Sequence, residues 1–327
     1  IIGLLTSMFT AIFLSRLIFE NMLKKGKDIA LGNKLTMNIL VHTRLDFIGY
    51  RKYFYIFSAL LMTISISSFF INGFNLGLDF KGGHNYTVKF DQNVNTVEIQ
   101  KSLTDLFDGN TPEVKTYGTE NQVKIATKYL IDDKRPTSEI DSLLESKIYA
   151  GVKSHLNDTV SFDTFKSQNI MSSEKVGHTV ADDIKRGAVL SVFFALFGIF
   201  MYILIRFKGW RYGLGGIISL AHDTIIVLGA YSLFYKIMPF SLEIDQSFIA
   251  AILTVIGYSI NDTVIIYDRI REYFHDHPKW TAKDIFNSAF NSTLSRTINT
   301  SLTVLFVLIA IFIFGGEVIR GFIFAML

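Results

Sequence analysis

Residues 256–266 read IGYSINDTVII, with Asn261 and Asp262 at the centre of an otherwise apolar stretch. The apolar run extends over 246–267, and about 20 such residues suffice for a helix to cross the ~30 Å hydrocarbon core of a bilayer. A carboxylate at such a depth needs a polar interior, a partner or a proton. The stretch therefore predicts a membrane-spanning helix whose inward face carries a chemical task.

Outward from it the same pattern recurs. Apolar runs fill 1–19, 53–71, 188–205 and 212–235, a shorter one fills 297–314, and another opens at 318 and reaches 327. Half of the 327 residues are apolar and the mean hydropathy is +0.34. They lie in blocks, unlike the short amphipathic runs of a soluble domain. Because both ends fall inside apolar runs, the chain reads as the ordered part of a longer one. With no cysteine, disulfides, thiolate metal sites and cysteine nucleophiles are excluded. No zinc spacing, phosphate loop or nucleophile–base pair is present, so neither metal nor cofactor is expected, and an enzyme is the least favoured class.

Basic residues orient the spans, since short loops rich in Lys and Arg stay in the cytoplasm. The linker 20–52 carries Lys24, Lys25, Lys27, Lys34, Arg44, Arg51 and Lys52. The next such loop holds Arg206, Lys208 and Arg211, and Arg269, Arg271, Lys279 and Lys283 follow the span that contains Asp262. Strict alternation then leaves 72–186 outside. This segment has 14 basic against 17 acidic residues, so the overall excess of positive charge belongs to the cytoplasmic loops beside anionic lipid and gives no reason to expect nucleic acid.

Within 72–186, residues 84–90 alternate as a strand and 96–107 have helical spacing. Residues 112–117 and 122–129 read as a strand pair, Pro136 opens a second helix, and 159–165 reads as a last strand. The order βαββαβ predicts a ferredoxin-like α+β domain inserted in an α-helical polytopic membrane protein. Residues 281–294 read as a separate amphipathic helix on the cytoplasmic side, opened by a capping box of Thr281 and Asp284.

Ionisable groups mark the spans unevenly. His222 and Asp223 fall mid-helix, Asp223 being about 17 Å along the axis from Tyr212. Asn261, Asp262 and Thr263 sit in the next span, and Arg296 and Asn299 open the one after it. For most of the hydroxyls an ordinary interhelical hydrogen bond is sufficient. For Asp223, Asp262 and Arg296 a functional reading is favoured, and an Asp262–Arg296 ion pair is expected from their similar depth. His222 reads equally well as a neutral hydrogen-bonding residue and as a proton relay.

These residues resemble a family. The stretch 257–272, GYSINDTVIIYDRIRE, is similar to a helix signature in the SecF half of the bacterial SecDF protein-export family. Residues 294–302, LSRTINTSL, resemble its following helix and His222-Asp223 its preceding one. Leu78-Asp-Phe-Lys-Gly-Gly83 resembles the family's Asp-Phe-x-Gly-Gly motif, with Asp79, Gly82 and Gly83 as its members; paired glycines suit a junction needing positive φ or close backbone approach. At His178 and Ala181 the chain departs from the family's usual Pro and Gly. The first apolar run, 1–19, resembles the last helix of the SecD half.

The resemblance implies an inner-membrane accessory of the Sec translocase, of the resistance-nodulation-division type, using the proton gradient to assist preprotein export. It implies partnership with the SecY-SecE-SecG translocon, an unfolded preprotein and a SecD half, within a lipid bilayer, with residues 72–186 in the periplasm. It places Asp262, Arg296, Asp223, His222, Asn261, Thr263 and Asn299 on a proton pathway. Two other readings stay open: a proton-driven small-molecule efflux transporter, against which the compact external domain argues, and a non-conducting scaffold, which has no need of the three membrane charges. Because the chain lacks cysteine, a single cysteine introduced at Asn110 tests the topology directly. It should react with an impermeant thiol reagent in intact spheroplasts; reaction only after permeabilisation reverses the assignment.

Overall fold

The computed structural model describes residues 2–26, 43–133, 135–157, 159–238 and 240–327. The middle of the basic linker lies outside them. The N-terminal run is helical, as α1 (Ile2–Met8), a π-helical segment (Phe9–Leu14) and α2 (Ser15–Lys24). Among the described residues five helices are long and apolar enough to cross a membrane: α3 (Arg51–Ile71), then α8 (His178–Phe207), α9 (Trp210–Phe234), α10 (Gln246–Asp276) and α11 (Ala282–Phe314). A shorter α12 (Glu317–Met326) follows.

Between α3 and α8 stands the sheet domain. A single turn, α4 (Leu78–Lys81), leads into β1 (Gly83–Lys89), α5 (Thr96–Leu106), β2 (Glu113–Tyr117), β3 (Thr119–Thr127), α6 (Thr137–Val152), the short α7 (Phe162–Thr164) and β4 (Ile170–Val176). The strands are antiparallel in the order β2-β3-β1-β4. This is the ferredoxin-like arrangement, with two helices covering one face. Its core is closed by Tyr86, Val88, Val123 and Ile125 from the sheet against Ile99, Leu103, Leu144 and Ile148 from the helices, all without solvent exposure.

Three expectations are corrected here. The last strand is 170–176, whereas 159–165 holds a turn and the start of a helix. Ser161 accepts the Thr164 N–H at 3.2 Å, capping that turn, and Phe165 is buried as a helical residue. The true strand was hidden because IMSSEKV lies at the sheet's edge with most positions exposed, and so shows no apolar alternation. Second, α8 begins at His178, inside the interval assigned to the domain, because the helix continues outward past its apolar portion. Third, the amphipathic segment 281–294 and the span 297–314 form one helix, α11; Thr281 does cap it, accepting the Asp284 N–H at 3.2 Å, but nothing between 294 and 297 breaks it.

The bundle is organised around α3 and α9, which run parallel. Ser58 Oγ lies 2.7 Å from His222 Nε2, and Ser68 Oγ lies 2.7 Å from Ser232 Oγ, both pairs being 164 residues apart. At the same offset Ser65 meets Gly229, where an added Cβ would fall 2.8 Å from Ser65 Cα. Small residues thus bring the backbones together, and hydroxyls find partners that the hydrocarbon cannot supply. Gly229→Val should separate the pair and destabilise the bundle by about 1–3 kcal/mol or more through overpacking. The measurement is thermal unfolding of the purified protein in detergent, with unchanged melting as the contrary result.

Candidate functional site

The helix α9 presents His222 and Asp223 at its middle, and α10 presents Ser259 opposite. His222 Nδ1 lies 3.0 Å from Asp223 Oδ1, and Ser259 Oγ–H donates to Asp223 Oδ2 at 2.6 Å. With Ser58 on the far nitrogen of the ring, the polar row crosses three helices, α3, α9 and α10. Both oxygens of Asp223 therefore have partners, which is what a carboxylate in a span requires.

One turn along α10 from Ser259, Asp262 is half-buried and lines a cavity of about 420 Å³. Ser259 and Tyr258 from α10, Thr300 and Ser301 from α11 and Met326 from α12 share its wall. Such a space accommodates water, and several polar atoms stand ready to bind it. Ser259 belongs to both features, since it lines the cavity while bonding Asp223.

The expected ion pair is not formed. Arg296 is the charge whose field reaches Asp262, yet among the described residues no pair within 4.0 Å joins them. Level with Asp262 on α11 are Thr300 and Ser301, so Arg296 sits about 6 Å nearer the basic end of the bundle. It is exposed on α11, where its carbonyl accepts the Thr300 hydroxyl at 2.9 Å. Thr263 bonds back to its own helix, its hydroxyl donating to the Ser259 carbonyl at 3.0 Å. Asn261 and Asn299 are exposed on the bundle surface and do not join the row.

The Asp79-Phe-Lys-Gly-Gly turn lies at the other end of α10. Asp79 Oδ2 accepts the Gln246 N–H at 3.0 Å, and Phe80 is buried in the bundle core with Leu220, Tyr231 and Phe248. Gly82 and Gly83 have φ of 68° and 138°, and a Cβ on Gly83 would fall 2.6 Å from the Thr127 carbonyl oxygen. Ser58 and Ser259 went unnoticed in the sequence. Their signal was weak: Ser58, Ser65 and Ser68 form a small polar stripe on one apolar helix.

Comparison with known proteins accords with this geometry. Residues 157–327 match the family described as "Protein export membrane protein SecD/SecF, C-terminal", and residues 67–94 match the "SecD/SecF GG Motif". The chain is 40% identical over 292 residues to the protein translocase subunit SecF of Rhodothermus marinus, covering 89% of each chain. To the SecF subunit of Haemophilus influenzae it is 40% identical over 283 residues, covering 86% of this chain and 79% of that one. It superposes on the crystal structure of SecDF, a translocon-associated membrane protein from Thermus thermophilus, with a TM-score of 0.78 and 30% identity. That match takes in 99% of this chain and 40% of the longer SecDF chain. With its apolar helices, its inserted sheet domain and its glycine-pair turn all shared with these proteins, the chain belongs to the SecF family of protein-export membrane proteins and is a multi-pass protein of the inner membrane.

Proposed function

We propose that this chain is the SecF part of a translocase accessory that uses the proton gradient to assist preprotein export, with Asp262 as its proton carrier. The observation that carries the reading is a carboxylate midway along an apolar helix, open to a cavity roomy enough for several waters and, among the described residues, free of a fixed counter-ion. A locked ion pair there would serve architecture; an unlocked carboxylate is free to exchange a proton. Arg296, about one helical turn away, is the cation a deprotonated Asp262 would recruit.

In this reading a proton entering from the outer side neutralises Asp262, and its loss toward the cytoplasm draws Arg296 in. Ser259 connects the cavity to Asp223 and His222, which hold a second exchangeable site in hydrogen-bonded contact. The partners of this reading are a SecD half, the SecY-SecE-SecG translocon and an unfolded preprotein on the outer side, and the relatives' role as translocase subunits supports it. Exposure of Asn261, Arg296 and Asn299 supports the first of these, since polar side chains facing hydrocarbon are unfavourable and a neighbouring helix would cover them.

Asp262→Asn is close to isosteric and removes only the titratable proton. In the complete protein it should reduce gradient-dependent export to the gradient-independent background, a loss of about 100-fold or more for a proton-transfer group. Export at the wild-type level in vesicles, with normal abundance, contradicts the carrier role. Arg296→Lys keeps the charge but loses the planar fork that binds a carboxylate through two parallel hydrogen bonds. Its gradient-dependent export should fall by about tenfold. A variant equal to wild type makes Arg296 a membrane-boundary residue with no part in the cycle.

A further inference from the structure

The loop before α10 is clamped by the sheet domain at several points. Its Ile244 N–H donates to the Asn75 carbonyl at 2.8 Å, and the Gly77 N–H donates back to the Ile244 carbonyl at 2.9 Å. Leu76 and Ile244 thereby form a parallel bridge, and an added Cβ on Gly77 would come 3.1 Å from Asp245 Cβ. From the domain side Asp79 accepts the Gln246 N–H, the first amide of α10. From the sheet, Lys124 on β3 reaches Glu243 at 3.0 Å, and both side chains are about four-fifths buried, with 20% and 17% exposure. Burial opposes the charge on Lys124, yet the Glu243 carboxylate lifts its ammonium above the ordinary lysine range.

These contacts converge on residues 243–246, the segment from which α10 descends to Asp262. On the domain side they start from neighbouring elements, α4 with the strand β1 that follows it, and β3, which pairs with β1. Gly82 and Gly83 allow the chain to turn between α4 and β1 with no intervening loop, so there is little slack. Around the clamp runs a polar cavity of about 450 Å³, lined by Asn85, Thr87, Lys124, Glu174, Glu243 and Asp245. That gap separates the sheet face from the bundle, and the polar contacts above together with the burial of Phe80 bridge the two.

We infer that the segment Glu243–Gln246 is the coupling element of the protein: it carries a shift of α10 to the sheet domain, with Asp79 and Lys124 as the positioning residues. The inference rests on the reading of Asp262 as proton carrier, and adds how work at that carboxylate reaches the outer side. A displacement of α10 along its axis moves Gln246 and with it Asp79, α4 and β1. The Lys124–Glu243 pair keeps β3 in step, so that the sheet moves as a body.

The test separates proton movement from export. Lys124→Glu and Glu243→Lys, singly and together, are made in the complete protein and assayed in membrane vesicles for proton uptake and for gradient-dependent preprotein export. Each single reversal should lower export by about tenfold, as misplacement of a working part does, while proton uptake stays within about twofold of wild type. The double reversal, which restores the pair with opposite polarity, should recover export. At the other pin, Asp79→Ala should show the same split and Asp79→Asn should retain export, because Asn also caps helices. Should a reversal fail to accumulate, the two Asp79 variants decide by the same measure. Equal loss of uptake and export, wild-type export in the single variants, or no recovery in the double variant overturns the inference. Failure of the carrier reading is seen separately, as export that survives Asp262→Asn.

Discussion

A hydroxyl or imidazole placed in hydrocarbon has no water to turn to, so its partner must be another part of the chain. In this protein many hydroxyls bond back to their own helix, as those of Thr224, Thr254 and Thr263 do, and α3 and α9 meet the requirement by pairing with each other. Ser58 with His222, Ser65 against Gly229 and Ser68 with Ser232 keep the two helices in one register from mid-membrane to the sheet end. At the sheet end the row continues into backbone: Ser232 donates to the Gly73 carbonyl at 2.8 Å and Tyr235 to the Asn72 carbonyl at 2.8 Å. The domain's lead-in is thereby fixed to α9. At mid-membrane the same row sets the His222 ring, and the ring sets Asp223. Individual interhelical hydrogen bonds contribute only about 1 kcal/mol, but a slip by one residue would strand all of them together.

Against this satisfied row, Asp262 differs. Asp223 has a partner on each oxygen, whereas Asp262 faces open space and a cation that is near but unbonded. Ser259 bonds Asp223 and lines the cavity that Asp262 faces, so a fixed site and a free one lie side by side. A scaffold would gain from two fixed sites. A carrier needs one free.

Much of the architecture was legible because the bilayer imposes a length. The spans at 53–71, 212–235 and 246–267 were visible as apolar runs, and βαββαβ was visible wherever one face of an element was buried, as in Val123 and Ile125 or in Ile140, Leu144 and Ile148. Legibility failed where exposure erased the pattern. The edge strand 170–176 is polar because most of its positions meet solvent, and Val160 and Phe162, two residues apart, imitated a strand nearby. The continuity of α11 was hidden by a change of environment within a single helix, from interface to hydrocarbon. At the site, charged residues announced themselves by their cost, so Asp223, Asp262 and Arg296 stood out. Ser58 and Ser259 did not, because a lone serine in a span is commonplace, and only three-dimensional proximity gives it a role.

The two helices that frame the cavity are held at opposite ends. On the sheet side, α10 is tied by Asp79 and by the backbone bridge at Ile244. On the basic side, the start of α11 is tied to the linker: Asp46 accepts from Lys283 and Asn287 at 2.7 Å each, and Asn291 and Asn287 accept the Leu45 and Ile48 amides at 2.9 and 3.0 Å. Lys283 and the Gly49 amide hold the Asp46 carboxyl at about 2, so this tie is fully charged at neutral pH. Because α11 is unbroken, whatever restrains Lys283 also restrains Arg296. The two helices are also joined to each other at the basic end, where Ile270 of α10 packs with Ile285 and Ala289 of α11. Between these ties the helices part at the level of Asp262, Thr300 and Ser301, where the cavity opens. Under the carrier role proposed for Asp262, a change of its charge acts at that opening, between the tie at Gln246 on one side and the tie at Lys283 on the other.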